Sequence, residues 1–154
     1  MNVTLLRASL HDAETLCQMQ RAAFAELLEK YQDFSTSPAC ETPEKVRQRL
    51  SMPATYFYFI CVDGQNAGAI RIVDQHNEAR KRISPLFIMP EYRGQGIAQA
   101  AIREAERIHG DTHWNLGTIL QEPRNCHLYE KMGYHPTGDT RIINDRMTIV
   151  FYEK

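Results

Sequence analysis

Over residues 82–107, RISPLFIMPEYRGQGIAQAAIREAER, the hydrophobic pattern changes character in mid-stretch. Up to Met89 it is a short apolar run of strand type. From Ile97 onward the apolar residues Ile97, Ala98, Ala101, Ile102, Ala105 and Ile108 recur at helical spacing. The turn between them, Arg93-Gly94-Gln95-Gly96-Ile97-Ala98, leaves the backbone nearly bare where the helix begins. The first N–H groups of a helix have no intrahelical partner and carry the positive end of its dipole. Glycines let a ligand approach that end closely. A strand, a bare turn and an amphipathic helix in this order therefore predict an anion site suited to phosphate, with Arg93 adding a fixed positive charge beside it.

Spacing separates the known phosphate cradles. No Gly-Lys-Ser/Thr follows, so this is not a P-loop. A dinucleotide fingerprint needs a small residue three places after Gly96, where Gln99 stands, and an acidic residue ending the next strand, which Leu116–Leu120 does not offer.

Composition narrows the setting. With 154 residues one domain spanning 1–154 is expected, and a net charge of −1 implies no general attraction to nucleic acid or to an anionic membrane. Cys17, Cys40, Cys61 and Cys126 are scattered without a C-x-x-C pair, which argues against zinc and against a disulfide framework. Neither a signal peptide nor a membrane span is expected, since MNVTLLRAS lacks an apolar h-region and the longest apolar run, Tyr56–Val62, is short. A reduced, cytoplasmic environment is the simplest expectation.

The remaining chain supplies the fold class. Val3–Arg7 reads as a strand, and Ser9 or Asp12 caps a helix running to about Tyr31. Asp33–Glu41 is a loop, and Thr42-Pro43 opens a second helix ending before Pro53. Thr55–Val62 and Ala67–Val73 form a hairpin about Asp63-Gly64. Pro85 places a bulge or an edge in the strand before the turn, because it cannot donate to a ladder. His113–Leu120 is a strand closed by Pro123, Asn125–Met132 a short helix stopped by Gly133, and Tyr134–Ile143 with Met147–Tyr152 a closing hairpin. The order β-α-α-β-β-β-α-β-α-β-β predicts an α/β (α+β) fold: a mixed, mostly antiparallel sheet of about seven strands flanked by about four helices on both faces.

Two motifs carry a resemblance. Arg93, Gly96 and Ala98, with the lead-in Met89-Pro90-Glu91-Tyr92, match Arg/Gln-x-x-Gly-x-Gly/Ala, and Leu128-Tyr-Glu-Lys-Met-Gly-Tyr134 matches Leu-Tyr-Glu-Lys-x-Gly-Phe/Tyr. In these the chain resembles the GNAT acyl-CoA N-acyltransferases, whose fold has the same element order. The resemblance implies acetyl-CoA as cosubstrate and no metal. It places the pyrophosphate at Arg93, Gly94, Gln95, Gly96, Ile97, Ala98 and Gln99, and the pantetheine along a splayed strand at Leu86, Phe87 and Ile88. It makes Tyr129 the acid that protonates the leaving thiolate. Asn125 either caps its helix or touches the pantetheine, although family asparagines lie further upstream, where this chain has Glu122. Family members often pair as homodimers.

The chemistry is consistent with a phenol in that role. A thiol titrates near ~8.5 and a phenol near ~10, so Tyr–OH can donate without ionising at neutral pH. The attacking amine must be neutral, yet a lysine-like amine is only about 0.1% neutral at pH 7.4, a deficit of roughly 4 kcal/mol. Relatives often supply a carboxylate base where this chain has Arg82 or Ser84, and Gly117. Glu122, His113 and His127 are near in sequence but read as surface or structural residues, so no base is named. A water relay or an acceptor of low pKa fits equally.

The expected activity is N-acetyl transfer from acetyl-CoA to a primary amine by direct attack in a ternary complex. The alternative is a catalytically silent acyl-CoA sensor or structural module, with a nucleotide binder third. The acceptor's identity is open. Its contacts are expected from the first two helices, the Gln32–Glu41 loop and the final hairpin; Glu26, Glu29 and Asp33 could attract a cationic amine, although a solvated helix face is the simpler reading.

Overall fold

The computed structural model describes residues 1–154. Seven strands, β1 (Val3–Arg7), β2 (Thr55–Val62), β3 (Gln65–Val73), β4 (Lys81–Ile88), β5 (Trp114–Ile119), β6 (His135–Asn144) and β7 (Met147–Glu153), form one sheet in the order β1-β2-β3-β4-β5-β7-β6. The helices are α1 (Ala13–Tyr31), α2 (Pro43–Leu50), α3 (Ile97–His109) and α4 (Pro123–Lys131). All strand pairs are antiparallel except β4–β5. The element order and the mixed sheet match the sequence expectation.

Alternation along the central strands divides the core. In β2, Tyr58, Ile60 and Val62 point to one face and pack under α3 and α4 with Ile70, Ile102, Trp114 and Leu116. Phe57, Phe59 and Cys61 point to the other and pack under α1 and α2 with Leu16, Val46 and Phe87. Burying each of the large side chains contributes about 1.5–3 kcal/mol. The β2–β3 turn has positive φ at both Asp63 (49°) and Gly64 (85°), the handedness that suits a two-residue hairpin. The start of α2 is as expected: Thr42 Oγ1 accepts from the Lys45 amide at 3.2 Å, with Pro43 in the first helical position.

Two expected boundaries shift. Pro123 opens α4 rather than closing the strand, which has already ended at Ile119, because its missing N–H is no loss in the first turn. Asn125 therefore lies inside the helix, and Glu122 occupies the cap position. In α3 the buried stripe does not end on Ile108, which is 43% exposed, since Glu106 turns inward instead.

The feature that shapes the site lies between β4 and β5. These parallel strands pair only at Lys81–Trp114 and Arg82–Asn115, and then separate. Just beyond, β3 register runs from Ile72–Ile83 to Ile70–Leu86, so Ser84 and Pro85 together oppose Arg71. This is the bulge that Pro85 predicts, and its Ser84–Pro85 bond is cis. Bulge and splay leave one side of Leu86–Ile88 without a neighbouring strand.

Candidate active site

Hydrogen bonding in β4 alternates, so main-chain groups take turns facing β3 and facing the opening. The Met89 amide donates to Ala67 O at 2.7 Å, and Phe87 is directly opposite Ala69. Phe87 thus faces β3 with its backbone, while its ring packs edge-on against Phe24 at 5.7 Å. Leu86 and Ile88 present their backbone to the cleft. This corrects the expectation for Phe87, which has no main-chain group left for a ligand strand. The close β3–β4 approach also explains Gly68, where a Cβ would lie 2.1 Å from Phe87 O.

At the end of β4 the chain makes a 3-10 turn, Pro90–Tyr92, and enters the glycine turn. Gly94 and Gly96 both have φ of 77°, and a Cβ on either would meet nothing within 4 Å. The first return bond of α3 runs from the Ala100 amide to Gly96 O at 3.2 Å. No amide from Gly94 to Gln99 donates to a protein acceptor, and no side chain caps the helix. Six consecutive N–H groups without a protein acceptor thus lie beside two open glycines at the positive end of a 13-residue helix. This run of donors suits the oxygens of a diphosphate.

Arg93 differs from the expectation. Its Nε donates to Ile88 O at 3.0 Å and its Nη2 to Ala23 O at 2.8 Å. The guanidinium ties α1 to the end of β4, and the carbonyl of Ile88 is taken. What remains open on this edge is the Leu86 backbone and the Ile88 amide.

Tyr129 stands on α4, 8% exposed, between the rings of Tyr134 (centroids 6.0 Å apart) and Tyr152 (6.4 Å). The hydroxyls of its neighbours both find carboxylates: Tyr134 donates to Glu106 Oε2 at 3.1 Å and Tyr152 to Glu130 Oε2 at 2.6 Å. The Tyr129 hydroxyl has no hydrogen-bond partner in the protein. Burial, and secondarily Cys126, push its pKa well above the usual phenol value, so it stays protonated at neutral pH.

Asn125 sits in the first turn of α4 with its side chain free of protein hydrogen bonds. It is not the cap, which is Glu122. Glu122 is fixed: Lys30 Nζ contacts its carboxylate at 2.8 Å and the Tyr31 hydroxyl also donates to it. Burial pushes this carboxyl up, but those hydrogen bonds and the Lys30 charge outweigh burial and hold it below its ordinary value. Asp33 is likewise engaged, accepting from Ser35 and Thr36 in its own turn. At Gly117 a Cβ would lie 2.9 Å from Ile149 Cγ2 and 3.1 Å from the Phe151 ring, so the space a carboxylate would need is filled from β7.

Sequence reasoning passed over two residues. Phe151 backs Gly117, which no local pattern reveals. Arg71 is the one charged residue within the β3 segment AGAIRIV, and that intrusion was a usable signal. No group of three or more His, Cys, Asp or Glu side chains is placed to share a metal ion, and no helix is long and apolar enough to cross a membrane.

Comparison with known proteins agrees with this fold. A family model described as an Acetyltransferase (GNAT) domain matches residues 24–154. The uncharacterized protein YrkN of Bacillus subtilis is 30% identical over 122 residues, 77% of this chain and 64% of its own length. The spermidine N(1)-acetyltransferase of Escherichia coli K12 is 29% identical over 82 residues, 50% of this chain and 44% of its own length. The chain thus spans less than two thirds of either curated relative. Among solved structures, spermidine N-acetyltransferase from Vibrio cholerae in complex with CoA and spermine superposes with a TM-score of 0.76 at 16% identity, covering 97% of this chain and 93% of that one. The chain belongs to the GNAT acetyltransferase family.

Proposed function

We propose that the protein transfers an acetyl group from acetyl-CoA to a primary amine by direct attack in a ternary complex. The observation that carries this reading is the run of unpaired amides at residues 94–99, continuous with the open edge of β4. Those amides take the diphosphate. The Leu86 backbone and the Ile88 amide pair with the pantetheine as an added strand, and Asn125 reaches it from α4. An N–H on this edge donates to the thioester carbonyl as negative charge develops on its oxygen, an effect worth about 3 kcal/mol in comparable sites.

The amine nitrogen forms a bond to the carbonyl carbon, and the carbon–sulfur bond breaks. The sulfur leaves as a thiolate and takes its proton from the Tyr129 hydroxyl. The tyrosinate is restored by a proton from solvent, and the amine's surplus proton leaves to solvent. The dry surroundings that raise the phenol's pKa raise the thiol's as well, so donor and acceptor stay matched.

The silent-module alternative draws on the absence of a carboxylate at Gly117. Against it, the Tyr129 hydroxyl alone of the three clustered phenols is left without a carboxylate partner, as a proton donor to a ligand would be. The test is CoA binding by calorimetry together with thiol release from acetyl-CoA over a panel of amines. Binding with turnover is expected. Binding without turnover of any amine would leave a module, and no binding would remove both readings.

A further inference from the structure

The foot of the β4–β5 cleft on the α1/α2 face carries positive charge where a cationic acceptor would need negative charge. Ile70 and Ile72 face α3, so Arg71 between them faces the other way. Ile83 places Arg82 on that same face, and Leu116 places Asn115 and Gly117 there. Arg71 is 8% exposed. Its Nε donates to Ser84 O at the bulge, and it makes no ion pair. Glu41, the acid that acts on it, is already held by Arg49 at 2.6 Å. Burial, then the Arg49 charge, with Glu41 opposing and Arg82 adding, bring the Arg71 pKa down to about 10. Arg82 is exposed, also without an ion pair, and lines a cavity of about 310 Å³ with Asn115, Gly117 and Phe151. Two acids border that cavity: Asp139, and Glu153, which Arg80 approaches at 3.7 Å.

A buried guanidinium with no carboxylate is costly, and fixed planar donors of this kind match carboxylates and phosphate-like groups. We propose that the acceptor is an amino-acid-like amine bearing an acidic group, a carboxylate or a phosphonate, which Arg71 and Arg82 grip at the foot of the cleft while the amine faces the thioester. The proposal rests on the transferase reading. It also bears on the base that Arg82, Ser84 and Gly117 do not supply. Nearby like charge disfavours the ammonium form, so the arginines raise the neutral fraction of an amine held beside them. A polycation such as spermidine offers them no partner.

The experiment compares each α-amino acid with its own C-terminal amide, adds matching aminophosphonates, and includes spermidine, all with acetyl-CoA. The amide has the less basic amine, so reactivity alone favours it, and a preference for the acid isolates recognition of the anion. The acid is expected to show a KM lower than the amide's by about tenfold or more. Arg82→Gln and Arg71→Gln should raise the acid's KM until the ratio nears one, leaving the KM for acetyl-CoA unmoved. Because Arg71 is buried and its variant can misfold, exposed Arg82 alone decides the matter if need be. Amides or spermidine used as well as the acids, or a preference untouched by Arg82→Gln, would overturn the proposal. If CoA binds but no amine of any class is acetylated, the transferase reading fails. The arginine site is then judged by thermal shift: amino acids or aminophosphonates must stabilise the wild type more than Arg82→Gln, and equal shifts discard it.

Discussion

The two ends of α3 are built to opposite rules. At its C-terminus the closing amide and the inward-facing polar side chains are answered. The Gly110 amide returns to Glu106 O at 2.8 Å, and the Trp114 indole donates to Gly110 O at 2.8 Å. His109 Nδ1 meets Asp74 Oδ2 at 2.8 Å, and its Nε2 meets the Tyr58 hydroxyl, also at 2.8 Å. Glu106 accepts from Tyr134 and from Lys154 Nζ at 2.8 Å. At the N-terminus six amides have no protein partner, and neither has the Tyr129 hydroxyl on α4. These donors open to solvent, so a ligand can take them in place of water. The closed end holds the helix on the sheet, and the open end leaves its donors free for a ligand.

The largest expected effect comes from filling the open end. Gly96→Glu puts a carboxylate among the free amides and asks a branched backbone to hold φ near 77°. A Cβ meets no atom there, so the fold should survive, with about 1–2 kcal/mol of local strain. CoA affinity should fall by about a hundredfold or more, since donors meant for phosphate now face a negative charge. Calorimetry with CoA checks this, and unchanged affinity would break the distinction between the two ends. Next comes Tyr129→Phe, which should lower kcat by about a hundredfold or more while CoA affinity stays level. Its contrast is Tyr134→Phe, which loses a paired hydroxyl and should cost about 1 kcal/mol of stability with turnover nearly intact. Steady-state kinetics beside chemical denaturation of both variants separates a phenol that reacts from one that holds.

The open end was largely legible in the sequence because it is local. Arg93–Gln99 is a contiguous turn and helix start, and Leu128–Tyr134 a contiguous helix and stop. The closed end was not legible, because Asp74, His109 and Tyr58 come from three elements that only the folded sheet brings together. The same distinction explains the misses. The sequence shows that Arg93 is charged, but its bonds to Ala23 and Ile88 depend on where α1 docks. Phe87 sits in the right segment, yet which way its backbone points depends on the β3 register and a bulge one residue wide. Ile108 has the correct spacing for the buried stripe, but the stripe yields to Glu106 because Tyr134 and Lys154 are there to receive a carboxylate.

A smaller effect tests the closed end directly. Asp74→Asn keeps the shape but removes a charged acceptor from His109 and from the His76 amide, which it meets at 2.9 Å. A loss of about 1.5–3 kcal/mol is expected, with CoA affinity unchanged because the perturbation is at the other end of the helix. Burial pushes the Asp74 carboxyl up, but hydrogen bonds from His109 and His76 outweigh it and leave it below its ordinary value. The unfolded chain therefore binds the proton first as pH falls. This contribution is present above about pH 4 and is lost as pH drops through the lower folded value. In Asp74→Asn the wild type's extra acid sensitivity should disappear.

The smallest effect separates burial from partnership. Burial raises the phenols of both Tyr129 and Tyr134, the latter further through Glu106. Each then keeps its proton in the folded protein at a pH where the unfolded chain has lost it. The stability from these protonated phenols is complete below about pH 10 and declines as pH rises beyond it, by about 1.4 kcal/mol per pH unit for each such tyrosine. Denaturation midpoints compared at pH 8 and above pH 10 should show Tyr129→Phe and Tyr134→Phe removing similar shares of that alkaline slope. At pH 8 only Tyr134→Phe should be less stable than the wild type, because only its hydroxyl has a carboxylate to lose. If Tyr129→Phe is equally destabilising at pH 8, that hydroxyl has a partner after all, and the open end is closed.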